Sequence, residues 1–483
     1  MSLKQKTLAG LFWSAIENFS TQGITFLVEI VLARLLSPRE FGLIGMITIF
    51  IAISQSFIDS GFSQALIRKK DCTQADYSTV FYFNLAVAIF CFFLLFFSAG
   101  AISRFFNQPQ LKQIVQVLGI GLILNAFIII QKVQLIKRID FKLQTKISVI
   151  ASLASGIIGI GMAYFGFGVW SLVAQDLSSF ALIALLLWLW MKWRPSFVFS
   201  FDSFKELFAF GSKLLISGLI STAFTNIYLL IIGKFFSAAE LGYYTRADQF
   251  KSLPSQNIND VINRVSYPVL SSIQDDIPKL KMAYRKLIKD TMLITFVLML
   301  GMAAVARPMV LTLIGEKWLP SVILLQLMCF IGMLYPLQAL NLDMLKVQGH
   351  SDLFLRLEII KRALAIPTIV IGVFFGIKIL VMGMFVNTLI NYYLNSYWSG
   401  KFIGYSMGQQ VKDILPSFGL AASMSLVVFI TGNLLQVSDL YKLLIQVLLG
   451  AVITVGVAEL IRLDSYLEIK GIFLEKALMF KKG

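Results

Sequence analysis

Long uninterrupted apolar segments are the feature of this sequence that most limits how it can fold. Residues 80–102, VFYFNLAVAIFCFFLLFFSAGAI, carry no charge and are long enough to cross a bilayer as an α-helix. Of the 483 residues, 58% are hydrophobic and 14% are charged, whereas a typical soluble domain has about 25% charged residues. This composition excludes a soluble globule, and continuous apolar runs exclude a membrane β-barrel, whose strands alternate in polarity. We expect an all-α polytopic membrane protein.

A window of about 19 residues predicts about fourteen transmembrane spans. We number them 1 to 14, at residues 10–35, 41–66, 78–102, 113–135, 147–165, 169–191, 207–233, 247–273, 288–310, 320–345, 356–375, 379–399, 413–432 and 441–461. With both termini on one side, that side carries 30 of the 42 Lys and Arg residues, the other side carries 11, and Arg264 lies within span 8. By the positive-inside rule, both termini are expected to be cytoplasmic.

The net charge of +16 follows mainly from this topology and from contact with anionic lipid headgroups, so we expect membrane lipids and no nucleic acid as partners. Cys72, Cys91 and Cys329 are too few and too apolar in context to suggest a disulfide framework. His350 is the only histidine, which argues against a histidine-based metal or catalytic site. The connecting loops are short and leave no soluble domain for an enzyme active site. We therefore expect no metal, no organic cofactor and no catalytic residue.

An internal repeat divides the sequence. A shift of 200 residues places LARLLSPREFG (32–42) on IGKFFSAAELG (232–242), which pairs Ser37 with Ser237 and Gly42 with Gly242. A weaker match at a shift of 210 places AYFGFGVW (163–170) near VFFGIKIL (373–380). Six spans per copy make the two copies parallel, an arrangement of alternating-access transporters with a central substrate site.

The repeat predicts four regions. An N-lobe with spans 1–6 occupies residues 1–200, and a C-lobe with spans 7–12 occupies residues 201–402. Two additional spans follow at 403–461, and a basic cytoplasmic tail occupies 462–483.

Polar residues recur at helical spacing in spans 1, 2, 7 and 8. A helix with one polar face cannot face lipid all round, so these faces are expected to line a hydrated cavity. The predicted lining residues are Thr21, Gln22, Ser56, Ser60, Ser63, Gln64, Ser221, Thr225, Gln256, Asn259, Asp260 and Asn263.

Acidic residues inside spans mark candidate ion sites, because each costs about 2.5–3.5 kcal/mol to insert. Glu17 and Asp59 lie at similar depth, and with Asp176 they are candidates for coupling transport to protons or sodium ions. For Glu17, a hydrogen bond to a neighbouring helix explains its position equally well. Asp176 could instead hold the bundle together.

Basic residues supply candidates for binding an anionic group. Arg264 in span 8 and Lys213 at the start of span 7 are the predicted contacts for an anionic headgroup. Near the outer end, Glu29, Arg34 and Lys234 are predicted to form a gate. For Arg34 and Lys234 the alternative is snorkelling to the membrane interface.

Several segments together resemble a known family. They are LARLLSPREFGLIGM, FIDSGFSQALIRKKD, AYFGFGVWSLVAQ, IIGKFFSAAELGYYTRADQF, RVSYPVLSSIQDD and GEKWLP. They are similar to the polysaccharide transporters of the multidrug/oligosaccharidyl-lipid/polysaccharide flippase superfamily, in the branch that exports lipopolysaccharide, colanic acid and teichuronic acid.

The resemblance implies two six-helix lobes with two extra C-terminal helices. It implies a flippase that moves an undecaprenyl-pyrophosphate-linked oligosaccharide to the outer leaflet of the bacterial inner membrane. A polysaccharide polymerase and glycosyltransferases would then be functional partners. The alternatives are a drug/cation antiporter of the same superfamily, which Glu17, Asp59 and Asp176 keep open, and a membrane-embedded polysaccharide polymerase or ligase.

Overall fold

A computed structural model of the chain describes the backbone of residues 3–471. It describes the side chains of residues 12–471 except those of 15, 260, 261, 263–265 and 351. Within the described backbone the regular structure is helical, and it contains no strand. The all-α expectation is therefore confirmed.

The helices of the first half are α1 (Leu3–Leu35), α2 (Pro38–Asp59), α3 (Phe62–Arg68), α4 (Gln74–Phe106), α5 (Leu111–Leu118), α6 (Ile120–Arg138), α7 (Phe141–Tyr164), α8 (Val169–Trp190) and α9 (Phe201–Phe235). The remaining helices are α10 (Ala238–Ser272), α11 (Ile277–Leu313), α12 (Ser321–Gly332), α13 (Tyr335–Val347), α14 (Ser351–Phe375), α15 (Ile377–Ile403), α16 (Met407–Leu434) and α17 (Asp439–Leu460).

Eleven helical segments of the described chain are long and apolar enough to cross a membrane, so this is a multi-pass membrane protein. Three of them combine two consecutive helices, such as α2 with α3 over Pro38–Arg68. The other predicted spans correspond to α1, α10 and α14, which have 33, 35 and 25 residues but a less apolar composition. The total of fourteen spans stays a prediction.

The chain forms two compact units, Met1–Gly242 and Tyr243–Gly483. In the first unit, α2 packs on α9, α4 on α6, and α7 on both α1 and α8. Phe62, Leu66, Phe81 and Leu207 form part of its buried core. In the second unit, α11 packs on α16 and α17, and α14 packs on α15. Packing thus groups α9 with the helices before it, and the lobe boundaries drawn from the repeat stay a prediction.

The two copies of the repeated motif begin their helices in the same way. Ser37 donates its backbone N–H to Glu40 Oε2 over 2.5 Å and its hydroxyl over 2.9 Å. Ser237 makes the same two bonds to Glu240 Oε2, at 2.9 and 2.8 Å. Such a capping box satisfies backbone groups that a helix leaves open at its N-terminus. The repeat is therefore a structural repeat at these two helix starts.

The helix starts also pack against each other reciprocally. Gly42 of α2 lies against the backbone of Ala238, and Gly242 of α10 lies against the backbone of Pro38. A Cβ atom on either glycine would overlap a carbonyl oxygen of the other helix. The same close contact is therefore made in both directions between the two copies of the motif.

Candidate functional site

A polar cavity of about 670 Å³ lies in the first unit. It is bounded by α2, α3 and α6 on one side and by α9 on the other. Its polar lining consists of Gln55, Ser56, Asp59, Ser63, Gln64, Asn125, Lys132, Ser221, Thr222, Thr225 and Asn226. All of these residues belong to helical segments that qualify as membrane spans. Such a concentration of polar groups has no role in packing against lipid, which makes the cavity the candidate functional site.

A helix break places the one acidic side chain of this lining. Helix α2 ends at Asp59, and Ser60 and Gly61 adopt left-handed backbone angles with φ 47° and 70° before α3 begins. The break is held against α9, because a Cβ on Gly211 would stand 2.8 Å from Ser60 O. A carboxylate at a helix C-terminus faces the negative end of the helix dipole. The position of Asp59 is therefore not explained by the stability of α2.

The short helix α3 brings Ser63 and Gln64 to the cavity. Ser63 donates its hydroxyl to Asp59 Oδ1. At the other end of α3, Lys137 Nζ donates to Leu66 O over 3.0 Å and to Lys69 O over 2.5 Å. These contacts fix α3 at both ends.

A second lysine ties the end of α3 to neighbouring helices. Lys69 Nζ lies 2.8 Å from Glu206 Oε2 and 3.1 Å from Asp76 Oδ2. The hydrogen bond that Lys69 donates to Glu206, followed by its interactions with Asp76, raises the pKa of Lys69 above its ordinary value. The lysine therefore stays charged at physiological pH and holds α4 and α9 against α3.

Lys132 on α6 is the cationic member of the cavity lining. Within the described side chains, its ammonium group makes no hydrogen bond or close ion pair, and Glu17 of α1 attracts it at longer range. A lysine without a close protein partner is available to an anionic ligand. It lies six residues before the end of α6, inside the helix.

Hydroxyl and amide groups complete the lining. Ser56 Oγ and Thr222 Oγ1 lie 3.1 Å apart and link α2 to α9. Asn226 Nδ2 donates to Thr222 O over 2.8 Å, which leaves its side-chain oxygen to face the cavity. Groups of this kind can both donate to and accept from a polyhydroxylated ligand.

The structure brings five of the twelve predicted lining residues to this cavity: Ser56, Ser63, Gln64, Ser221 and Thr225. The predicted coupling residue Asp59 also lines it. The predicted residues that lie elsewhere are Thr21, Gln22, Ser60, Gln256 and Asn259; the hydroxyls of Thr21 and Ser60 bond to the backbone of their own helix. Lys213 is exposed on α9 and does not line the cavity. Asp260, Asn263 and Arg264 lie outside the side chains that the structure describes.

Glu17 is held between two helices. Its Oε1 accepts hydrogen bonds from Ser148 Oγ over 2.9 Å and from Gln144 Nε2 over 3.2 Å, both on α7. Thr145 on the same helix donates to Trp13 O over 3.1 Å. These contacts match the alternative interpretation of Glu17, in which it makes a hydrogen bond from α1 to a neighbouring helix instead of taking part in ion coupling.

The predicted gate and the third coupling residue lie apart from the cavity. Lys234 donates to Phe105 O over 2.6 Å, and its ammonium lies 4.5 Å from the centre of the Phe105 ring. Glu29 is half-buried and Arg34 is exposed, both on α1. Asp176 is exposed on α8 and interacts electrostatically with Glu29.

Five polar lining residues are absent from the set predicted from the sequence: Gln55, Asn125, Lys132, Thr222 and Asn226. A signal for two of them is present in the sequence, since Asn125, Ile129, Lys132 and Ile136 are spaced to share one helix face, and all four line the cavity. The charge count placed Lys132 with the positive charges of the cytoplasmic side, although the predicted span 113–135 includes it.

Relatives with curated names match most of the chain. The lipopolysaccharide biosynthesis protein WzxC of Escherichia coli (strain K12) is 28% identical over 77% of this chain and 76% of its own length. The teichuronic acid biosynthesis protein TuaB of Bacillus subtilis (strain 168) is 26% identical over 73% of each chain. The succinoglycan biosynthesis transport protein ExoT of Rhizobium meliloti (strain 1021) is 25% identical over 63% of this chain and 62% of its own.

The fold is also found in solved structures. The inward closed conformation of the lipid II flippase MurJ superposes with a TM-score of 0.76 over 94% of this chain and 99% of MurJ, at 15% identity. An inward-facing MATE-family multidrug resistance transporter of the MOP superfamily gives 0.61 over 79% and 94%, also at 15% identity. These likenesses establish the fold.

The family described as "Polysaccharide biosynthesis protein" matches residues 31–323, which is more than half of the chain. This range contains the whole of the polar cavity and both copies of the repeated motif. The chain belongs to this family of polysaccharide biosynthesis proteins.

Proposed function

We propose that this protein is a flippase that moves an undecaprenyl-pyrophosphate-linked oligosaccharide from the cytoplasmic to the outer leaflet of the bacterial inner membrane by alternating access. The observation that carries the proposal is the polar cavity inside membrane-spanning helices, with Lys132 and Asp59 among hydroxyl and amide groups. The relatives support it, since they are named for lipopolysaccharide, teichuronic acid and succinoglycan biosynthesis. The fold is that of the lipid II flippase MurJ.

The polar cavity lowers the free-energy cost of moving a sugar headgroup through the hydrocarbon region of the membrane. Each sugar hydroxyl that enters hydrocarbon without a hydrogen bond costs about 4–8 kcal/mol on a water-to-cyclohexane scale. Ser56, Asn125, Thr225 and similar side chains replace the hydrogen bonds of water along the path. The polyprenyl tail needs no such replacement and stays in the lipid. The substrate moves without chemical change, so no catalytic residue is required.

We assign the pyrophosphate contact in the cavity to Lys132. Its ammonium group has no close protein partner among the described residues, and a lysine acts on phosphate as a point charge. Arg264 and Lys213 remain proposed contacts at another stage of transport. Asp59 is our candidate for ion coupling, because it lines the same cavity as Lys132 and can exchange a proton or a sodium ion as the cavity changes its exposure.

The proposed orientation has both termini in the cytoplasm, which puts the richer share of Lys and Arg inside. The loop that begins at Lys69 is then cytoplasmic, and the repeated motif that begins at Ser37 is on the outer side. Glycosyltransferases would supply the lipid-linked sugar from the cytoplasm, and a polymerase would take it outside.

Complementation of a deletion strain tests the proposal. The source bacterium without this gene is complemented with wild type, Lys132→Ala, Lys132→Arg or Lys146→Ala, and both surface polysaccharide and cellular lipid-linked oligosaccharide are measured. Lys146 is the matched control, an exposed lysine on α7 outside the cavity. We expect Lys132→Ala to lower surface polysaccharide at least about tenfold while lipid-linked oligosaccharide accumulates, and the Lys146→Ala strain to match wild type. Normal export by folded Lys132→Ala protein would remove Lys132 from the site.

A drug/cation antiporter is the second candidate, favoured by the MATE-like fold and by the exposed carboxylate of Asp176. The same strains distinguish it. An antiporter predicts that deletion increases sensitivity to cationic drugs and leaves surface polysaccharide unchanged, whereas a flippase predicts the reverse.

A further inference from the structure

A second cavity, of about 330 Å³, lies in the first unit where two sequence motifs meet. One wall is the SPREFG motif at the start of α2, and the opposite wall is the FGFGVW motif at the start of α8. The lining of this pocket includes the side chains of Arg39, Gln110, Gln113, Phe167 and Trp170. None of them belongs to the polar cavity described above. The volume of this second cavity is at the lower end of the range for small-molecule sites, about 300–1,000 Å³.

A rigid framework shapes this pocket. Glu40 closes the capping box of α2 with one carboxylate oxygen, and its other oxygen points at Gly168, where a Cβ atom would stand 2.5 Å away. Gly168 also has φ 58°, so both its backbone and its neighbour favour glycine. Arg39 Nη2 donates to Gln108 Oε1 over 3.2 Å, which holds the guanidinium at the rim.

Three other polar side chains of the pocket have hydrogen-bonding groups that the described side chains do not engage. Within the described side chains, neither the amides of Gln110 and Gln113 nor the indole N–H of Trp170 makes a hydrogen bond with protein. Phe167 is 54% exposed beside them. The pocket therefore combines flat aromatic surfaces with amide, indole and guanidinium groups in one concave place.

The second copy of the repeat keeps the capping box and one positive-φ glycine, and it lacks the polar and aromatic groups of the pocket. Ser237 and Glu240 make the same capping box, and Gly376 has a positive φ of 102°, as Gly166 does with 80°. At the shifts of 200 and 210 residues, Ala239 stands where Arg39 is, Lys378 where Gly168 is, and Leu380 where Trp170 is. The two helix starts share the capping box and the glycine at 166 and 376, and the second copy forms without counterparts of Arg39, Gly168 or Trp170.

We propose that this pocket is a saccharide-binding site on the outer face of the protein, separate from the transport cavity; its placement outside rests on the orientation given under the proposed function. Sugar rings present C–H groups that stack on the electron-rich faces of Trp170 and Phe167. Their hydroxyls accept from Arg39 and Trp170 and exchange hydrogen bonds with Gln110 and Gln113. The pocket would hold a sugar unit of the oligosaccharide once it has reached the outer side.

Saturation-transfer NMR on purified full-length protein in lipid nanodiscs tests the proposal. The probes are glucose, galactose, mannose, rhamnose, glucuronic acid and N-acetylglucosamine. The variants are Trp170→Leu and Arg39→Ala, which introduce the residues of the second repeat. Phe165→Leu is the matched control, an aromatic residue of the same loop that is 77% exposed and outside the pocket.

We expect at least one sugar to give a saturable signal that falls at least about threefold in both pocket variants and is unchanged in Phe165→Leu. The signal should also persist in Lys132→Ala, so failure of the transport proposal would leave this result standing. A panel without any saturable signal, or equal signals from wild type and a folded pocket variant, would overturn the proposal. If Trp170→Leu does not fold, Arg39→Ala and Gln113→Ala decide the outcome.

Discussion

At the scale of single residues, two acidic side chains that are predicted to lie at similar depth have different surroundings. Glu17 accepts two hydrogen bonds from α7, whereas Asp59 lines the polar cavity and is bonded by Ser63. The sequence predicts that both acids lie inside membrane helices. It cannot distinguish them, because the partners of Glu17 lie 127 and 131 residues away in the chain.

We therefore expect Glu17→Gln and Asp59→Asn, which both remove a negative charge, to differ in their effect on export. Glu17→Gln keeps a carbonyl oxygen that can accept from Ser148, so both stability and export should stay near wild type. Glu17→Ala should lower the free energy of unfolding by about 1–2 kcal/mol, since interhelical hydrogen bonds in membranes contribute about 0.6 kcal/mol on average and up to about 1.7. Thermal unfolding in detergent and surface polysaccharide provide the two measurements. Loss of export in a stable Glu17→Gln protein would show instead that Glu17 takes part in coupling.

Asp59→Asn should lower export while leaving stability nearly unchanged. The amide is isosteric and can still accept from Ser63, so the unfolding midpoint should change little. Export should fall at least about tenfold, because the carboxylate of the cavity lining is gone. A tenfold change corresponds to about 1.4 kcal/mol of free energy. Unchanged export with Asp59→Asn would exclude this carboxylate from coupling.

At the scale of helices, hydropathy predicts where most spans lie but not where they break. A window of about 19 residues averages over Ser60 and Gly61, so span 2 is predicted as one helix, whereas the structure has α2 and α3. The break depends on close backbone contact with Gly211 of α9, a tertiary contact that local sequence does not encode. Span 4 is predicted to end at residue 135, three residues before the end of α6. Lys132 lies within that span, but its charge was counted with the cytoplasmic loop, so it was left out of the predicted site.

The reciprocal contact of the two repeat motifs yields a test of equivalence. Gly42→Ala and Gly242→Ala each place a methyl group against a backbone carbonyl of the other helix, and overpacking of this kind costs about 1–3 kcal/mol. We expect similar falls in the unfolding midpoint for the two variants. Gly23→Ala is the control, because a Cβ there meets nothing within 4 Å. A fall in only one of the two variants would argue against the equivalence of the two contacts.

At the scale of the whole molecule, composition and the charge count predict an all-helical membrane protein, and the structure confirms that fold class. The sidedness of the chain is predicted from its loop charges. Single cysteines in a protein without Cys72, Cys91 and Cys329 would measure it directly.

We expect cysteines at Lys112 and Phe165 to react with a membrane-impermeant maleimide in intact cells with a permeabilised outer membrane. Cysteines at Lys70 and Lys192 should react only after the inner membrane is opened. All four of these positions are exposed in the structure. The reverse labelling pattern would turn the proposed direction of transport around.

Movement of the lipid-linked sugar itself is the most direct test of the account. Purified protein is reconstituted into liposomes that carry a fluorescent undecaprenyl-pyrophosphate-linked oligosaccharide, and the fraction reached by an external glycosidase is followed with time. Wild-type protein and Lys146→Ala should make both leaflets accessible, so that nearly all substrate is cleaved, whereas Lys132→Ala should leave the inner half protected, as in protein-free liposomes. Protection that is the same with wild-type protein as without protein would contradict the proposed function.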